Sequence, residues 1–276
     1  MKSRSLVVVL LVAVAAGPAC SKKGNGGPGG PTNPSTLTNV TVAPATDLIK
    51  IKAVESFTAT AAYSDGSSQA VQASWGSDNP AVATVDTGRV TGVAPGFATI
   101  FADYQGLRGT RTLRVVPDYQ GRWSGDWTIG TCTDSGDLSG ICSEYAAGDL
   151  FALTLVATQT RDSVTGTTDF GDDLPGPVTG SIQPDGHLIL NGTYTLAVEG
   201  LTFELTVTNW DTVTLDNQRM TGHLSLVTRA VGVQGSFTVS GDLRIVTKTS
   251  TTPAQVRASR SVPLLRPLAA RLAQRR

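Results

Sequence analysis

Histidine is almost missing from this chain, with two residues among 276, and charged side chains reach only 16%. That scarcity removes most of the groups that hydrolytic, metal-dependent and acid–base chemistry needs. No zinc-binding histidine pair, no nucleophile elbow of the G-x-S-x-G kind and no phosphate-cradling glycine loop is present. His187 and His223 each fall by strand parity on the polar, outward side of a strand. Asp169, Asp172 and Asp173 in "TDFGDDLPG" carry enough oxygens to crowd a Ca²⁺ ion, but they read as a solvated acidic loop. The chain therefore reads as non-enzymatic, with no cofactor and no metal. Strong helix formers are also sparse against abundant Gly, Thr, Ser and Val, which favours strands and turns. A hydrophobic content of 40% over this length can fill one large core or two ordinary ones. The expected class is all-β.

A net charge of zero conceals an uneven distribution. Residues 117–242 hold sixteen acidic and four basic side chains, and residues 243–276 hold eight basic and none acidic. An acidic body with a basic tail gives the overall charge little meaning for partners, and it makes nucleic acid an unsuitable one.

The apolar stretch nearest the start, "SLVVVLLVAVAAG" over residues 5–17, is short for a membrane span and follows Lys2 and Arg4, so it reads as an export signal. It runs into "GPAC". Those residues resemble the lipobox of bacterial lipoproteins, in which the cysteine is acylated and becomes the mature N-terminus. The resemblance implies acylation of Cys20, removal of residues 1–19 and a lipid anchor in the cell envelope, with Ser21 favouring the outer membrane of a diderm bacterium. Pro18 and Gly17 depart from the usual lipobox residues. Residues 20–36, including "SKKGNGGPGGPTNPS", form a Gly- and Pro-rich tether with too little apolar surface to fold. Of the three cysteines, Cys132 and Cys142 flank the turn-rich "TDSGDLSGI", and an exported protein is expected to join them in a disulfide.

Residues 37–116 alternate short apolar runs with turn residues, a pattern that predicts a β-sandwich. "AAYSDGSS", "WGSDNPAVATVD" over residues 75–86 and "GRVTGVAPGFATI" over residues 88–100 resemble the bacterial Ig-like domains of group 2. Within them Trp75, Val82 and Val85 are expected between the sheets, with Pro80 at an edge and Gly92 and Gly96 at turns. One departure is "KAVESFT", where such domains commonly carry a Gly near Val54. The resemblance implies a spacer or adhesive module on a bacterial surface.

Residues 119–249 contain eight further runs joined by short turns such as "QPDGH", which predicts an antiparallel, eight-stranded up-and-down β-barrel. Glycine recurs after a polar residue at Gly125, Gly166, Gly180, Gly192, Gly222 and Gly241. Parity puts these glycines on the apolar face, where they let the strands coil and facing side chains approach. The same parity turns Trp123, Trp127, Phe151, Leu153, Leu155, Val164, Phe170, Ile182, Leu188, Leu190, Tyr194, Leu196, Phe203, Leu205, Val207, Leu224, Leu226, Phe237, Val239 and Leu243 inward. With "GRW" at residues 121–123 and "LNGTY", the segment is similar to the calycin barrels, the lipocalin and avidin-like group. No aligned set of biotin-holding polar residues accompanies the likeness.

Trp123, Trp127, Tyr194, Phe203 and Phe237 are accordingly the candidate contacts for a guest inside the barrel. Such a guest must be apolar, because the inward set offers no ionisable partner besides a phenol. A core packed solid by the same aromatics is the favoured alternative, and it moves any binding to the rim loops. Residues 250–276 read as a disordered basic tail, with Leu264, Leu265, Leu268 and Leu272 among arginines able to touch an anionic membrane as the other reading. Together these features describe an envelope-anchored protein that displays a barrel on an Ig-like spacer, for adhesion, for ligand binding or as a structural surface element. Its expected partners are the membrane, through the anchor, and a surface macromolecule or apolar small molecule.

Overall fold

Strands of three to fourteen residues, punctuated by turns in which Gly, and at two places Asn, takes a left-handed φ, account for nearly all of the regular structure. The computed structural model describes residues 34–171, 174–249 and 264–274, apart from the side chain of Ile245. Cys20, Asp172 and Asp173 lie outside the described residues.

The first domain has three small sheets. Strands β1 (Leu37–Ala43), β4 (Thr58–Tyr63) and β5 (Ser68–Val71) form one. A second runs in the order β2 (Leu48–Lys50), β10 (Leu107–Val116), β9 (Gly96–Tyr104) and β6 (Ser74–Ser77), with β2 parallel to β10. The third contains β3 (Val54–Ser56), β8 (Arg89–Gly92) and β7 (Ala83–Asp86). Ile49, Phe57, Val90, Ile100, Leu113 and Val115 fill the main core, and half-buried Trp75 packs against this cluster and against Val40, Ala59 and Ala102. Gly92 serves a close approach rather than a turn, since a Cβ there would stand 2.6 Å from the Lys50 carbonyl oxygen.

Eight strands in chain order then close a barrel: β11 (Gly121–Asp134), β12 (Leu150–Thr160), β13 (Ser163–Asp169), β14 (Gly176–Ile182), β15 (Leu188–Val198), β16 (Leu201–Thr214), β17 (Arg219–Ala230) and β18 (Phe237–Thr249). The closing pair, β11 with β18, runs antiparallel from Arg122 opposite Thr249 to Asp134 opposite Phe237. Closure leaves each strand a partner on both sides for part of its length, which removes the exposed edges of an open sheet.

The recurring glycines have a backbone reason. A Cβ at Gly166, Gly180, Gly192, Gly222 or Gly241 would stand 1.8 to 2.3 Å from a carbonyl oxygen of the adjoining strand. It is therefore the neighbouring main chain, more than facing side chains, that occupies the space a side chain would need. Parity itself fails in three places, one of them in β18, where the ladders with β11 and β17 shift after Leu243 and Val246, assigned by alternation to the outside, is buried. The ladder of β16 with β17 shifts between Thr208 and Asp211, and Asn209 takes a φ of 51°. That bulge turns Trp210, which plain alternation assigns to the outside, into the barrel, where it is fully buried. Leu196, expected inside, is only half-buried, because β14 pairs with β15 only over Leu188 to Asn191 and leaves the far half of β15 uncovered on that side.

The tail also departs from expectation. Residues 264–274 are not a disordered extension: they carry α1 (Arg266–Ala273), whose Leu268, Ala269 and Leu272 are buried together with Leu264 and Leu265. The physical reason is that the four leucines find the apolar end of the barrel, a partner that no local pattern announces.

The two domains meet through specific contacts. Asp118 accepts from Lys50 of the Ig-like domain at 2.6 Å and from Lys248 of β18 at 2.9 Å. Arg114 donates to Asp162 at 2.9 Å and to the Ile182 carbonyl at 2.6 Å, and Arg161 pairs with Asp47 at 2.8 Å. Val116 and Leu48 join the apolar cluster of the barrel.

Candidate functional site

The barrel interior is the first place to look for a ligand. Trp123, Trp127, Phe203 and Phe237 have no accessible surface at all, and Tyr194 keeps 9%. A void wide enough for a water molecule would leave accessible area on its walls, so side chains at zero exposure mark a packed interior. The rings also touch: Trp127 lies 5.4 Å from Phe151 and 6.2 Å from Phe170, and Phe170 lies 6.2 Å from Trp210, centroid to centroid. The five expected contacts all belong to one buried apolar cluster. The indole nitrogens of Trp127 and Trp210 find no acceptor among the described residues.

Both ends of the barrel are closed. At the end facing the Ig-like domain, Tyr119 is fully buried and its hydroxyl sits 2.8 Å from the Gly186 carbonyl and 3.2 Å from that of Thr212. Burial holds this phenol well above its ordinary pKa, so it stays protonated and able to donate. Trp123 Nε1 donates to the Tyr119 carbonyl at 2.7 Å, and Gln159 accepts from the Tyr119 amide at 2.8 Å.

At the other end the chain leaves β11 through two 3-10 turns, η1 (Gly136–Leu138) and η2 (Ile141–Glu144), before returning as β12. Cys132 on β11 and Cys142 on η2 are joined by a disulfide with Cα atoms 5.6 Å apart. Leu138, Ile141 and Tyr145 of this flap point into the same apolar cluster as the leucines of α1.

The outer wall holds a feature that residue counting missed. His187, in the turn just ahead of β15, and Asp211, His223 and Asp242 on β16, β17 and β18 form a row, in which Asp211 stands opposite His223 and His223 opposite Asp242. His187 Nδ1 lies 2.6 Å from Asp211, and His223 Nδ1 lies 2.9 Å from Asp242. The hydrogen bond to Asp211 raises the pKa of His187 above 6.5. The row borders a shallow cleft completed by Val213, Thr221 and Gly222. No serine or cysteine lines that cleft. Among the described residues no group of three or more His, Cys, Asp or Glu is placed to hold a metal ion. Both histidines do face outward as parity predicts, but their carboxylate partners depend on a register that only the folded sheet sets. Asp169, from the acidic loop, accepts from the Gly171 and Leu174 amides and so ties up its own turn.

Residues 36–104 match the bacterial Ig-like domain (group 2) family. The folded domain continues past that match through β10, which ends at Val116. No curated protein matches the chain. Among solved structures, domains 5-6 of the S-layer protein SbsC align with 78% of this chain and 100% of their own length, at 14% identity and a TM-score of 0.27. A longer crystal structure of SbsC aligns with 81% of this chain and 42% of its own length, at 12% identity and a TM-score of 0.27. Scores this low do not establish a common arrangement.

Proposed function

We propose that this is a non-enzymatic envelope protein, anchored by a lipid at Cys20, that presents a solid β-barrel on an Ig-like spacer for contacts with other surface macromolecules. The observation that carries the reading is the packed interior. A barrel whose inward tryptophans and phenylalanines keep at most 3% of their surface offers no ready chamber for a substrate or a carried hydrophobe, so recognition falls to its outside and its ends. The Ig-like match supports a spacer role. So does the joint, where Arg114 with Asp162, Arg161 with Asp47, and Lys50 with Asp118 bind the domains to each other through charged hydrogen bonds.

The test uses the full chain expressed in a diderm bacterium and separated by detergent-phase partition. The parent is expected in the detergent phase, and Cys20→Ala in the aqueous phase or held as unprocessed precursor. Equal partition of the two removes the anchor. A solvatochromic apolar dye titrated into the same material is expected to show no stoichiometric site. Saturable binding that quenches the barrel tryptophans would replace the solid-barrel reading with that of a hydrophobe carrier.

A further inference from the structure

The flap end of the barrel is closed by a helix that belongs to no strand ladder. The eight strands pair around the full circle without α1. β18 runs from Phe237 at the flap end to Thr249 beside Arg122 at the opposite end, and α1, which begins at Arg266, lies back at the flap. It is thus a separate piece laid on a finished barrel.

The receiving surface is organised by other parts of the chain. The disulfide fixes η2 to β11, and the Cys142 amide donates to Asp134 at 2.8 Å. The Tyr145 ring packs at a tilt against Phe237, 5.0 Å away between centroids, and against Phe151 at 6.0 Å, which fixes it in the flap. Onto this platform the chain places Leu264 and Leu265, just ahead of α1, and then Leu268, Ala269 and Leu272, whose i, i+1 and i+4 spacing lies on one face of the helix. Polar contacts orient it. The Tyr145 hydroxyl donates to the Leu264 carbonyl at 2.6 Å, and Arg271 donates to the Gly140 carbonyl at 2.6 Å and to Glu144 at 3.2 Å.

A helix of eight residues without a side-chain N-cap has little stability in water by itself. It is helical because it is docked, so docking and folding are one event. That is the relationship of a peptide ligand to a receptor groove.

We propose that the flap end of the barrel is a receptor for a leucine-bearing amphipathic helix, filled here by the chain's own α1, which exchanges with a free helix of the same pattern. The proposal does not depend on the anchor at Cys20, and a failure of one leaves the other standing.

The experiment uses the full, disulfide-intact chain and a fluorescent peptide of residues 264–274. Leu268→Asp, which places a charge on the buried face, is expected to release α1, keep the near-ultraviolet dichroism of the barrel and bind the peptide at a single saturable site. The parent, whose own helix competes, is expected to bind at least about tenfold more weakly. A peptide carrying the same Leu to Asp change should bind neither protein. In the parent, amide exchange in α1 should run at least about a hundredfold faster than in β17 and β18, through local opening. Three results overturn the proposal: loss of the barrel's tertiary signal in Leu268→Asp, a folded variant that does not bind the peptide, or equal binding by parent and variant. Protection in α1 equal to that in the strands does the same.

Discussion

Gly241→Ala is expected to destabilise the barrel by about 3 kcal/mol or more, and Gly130→Ala on the adjoining strand to change stability by less than about 0.5 kcal/mol. A Cβ on residue 241 would stand 1.8 Å from the Thr128 carbonyl oxygen, 2.8 Å from its carbon and 3.1 Å from the Ile129 Cα. All three are backbone atoms, so no side chain can rotate away. β11 and β18 must separate where Ile129 faces Gly241 and Trp127 faces Leu243. Overpacking of this kind costs about 1–3 kcal/mol, and one or two weakened ladder hydrogen bonds add about 1 kcal/mol each. Gly130 is exposed, and its Cβ would meet only the Ser240 carbonyl oxygen at 3.6 Å, an ordinary contact. Alanine there also restricts the unfolded chain, a gain of about 0.4–1 kcal/mol that offsets any small strain. The assay is urea unfolding followed by the fluorescence of Trp123, Trp127 and Trp210, with both variants and the parent extrapolated to water. If Gly241→Ala matches the parent, or Gly130→Ala falls as far as Gly241→Ala, the close approach of the strands is not what demands glycine.

Three further outcomes are expected. Opening the Cys132–Cys142 bridge by double Ser substitution should cost about 2–3 kcal/mol from the loop-closure entropy of so short a ring, and unreduced parent should yield no alkylated thiol at either position; labelling at both refutes the bridge. Burial works against the charge of Asp118, and the ammonium groups of Lys50 and Lys248 outweigh it, so its folded pKa lies below 3.8. The stability it contributes is present above the unfolded value and lost as pH falls through the folded one; Asp118→Asn should remove about 1–2 kcal/mol at pH 7 and nothing at a pH below both values, and an equal loss at both pH values would contradict the assignment. For His187 the sign is opposite, because Asp211 raises its folded pKa above 6.5. The gain is complete below the unfolded value and lost as pH rises through the folded one; Asp211→Asn should lower the pKa that NMR reads for His187, and an unchanged titration rules out this partner.

Much of this architecture was legible in the residues because its determinants are local. Alternation with period two, turn chemistry such as that of "QPDGH" and the recurring glycines act over a few positions, and they placed eight strands and nearly all of the inward side chains. Cys132 and Cys142 likewise announced their bridge by proximity along the chain. What escaped depends on registers and partners far apart in sequence. Trp210 turns inward because of a bulge at Asn209 that alternation does not register. The row of His187, Asp211, His223 and Asp242 exists only once four strands are in register, so parity found the histidines outside but not their carboxylates. The leucines of α1 are too few to hold a helix alone, and as a stretch of sequence they resemble a loose basic tail. Only the folded barrel, by presenting Tyr145 and the apolar flap more than one hundred residues upstream of Leu264, supplies the surface that makes them a helix.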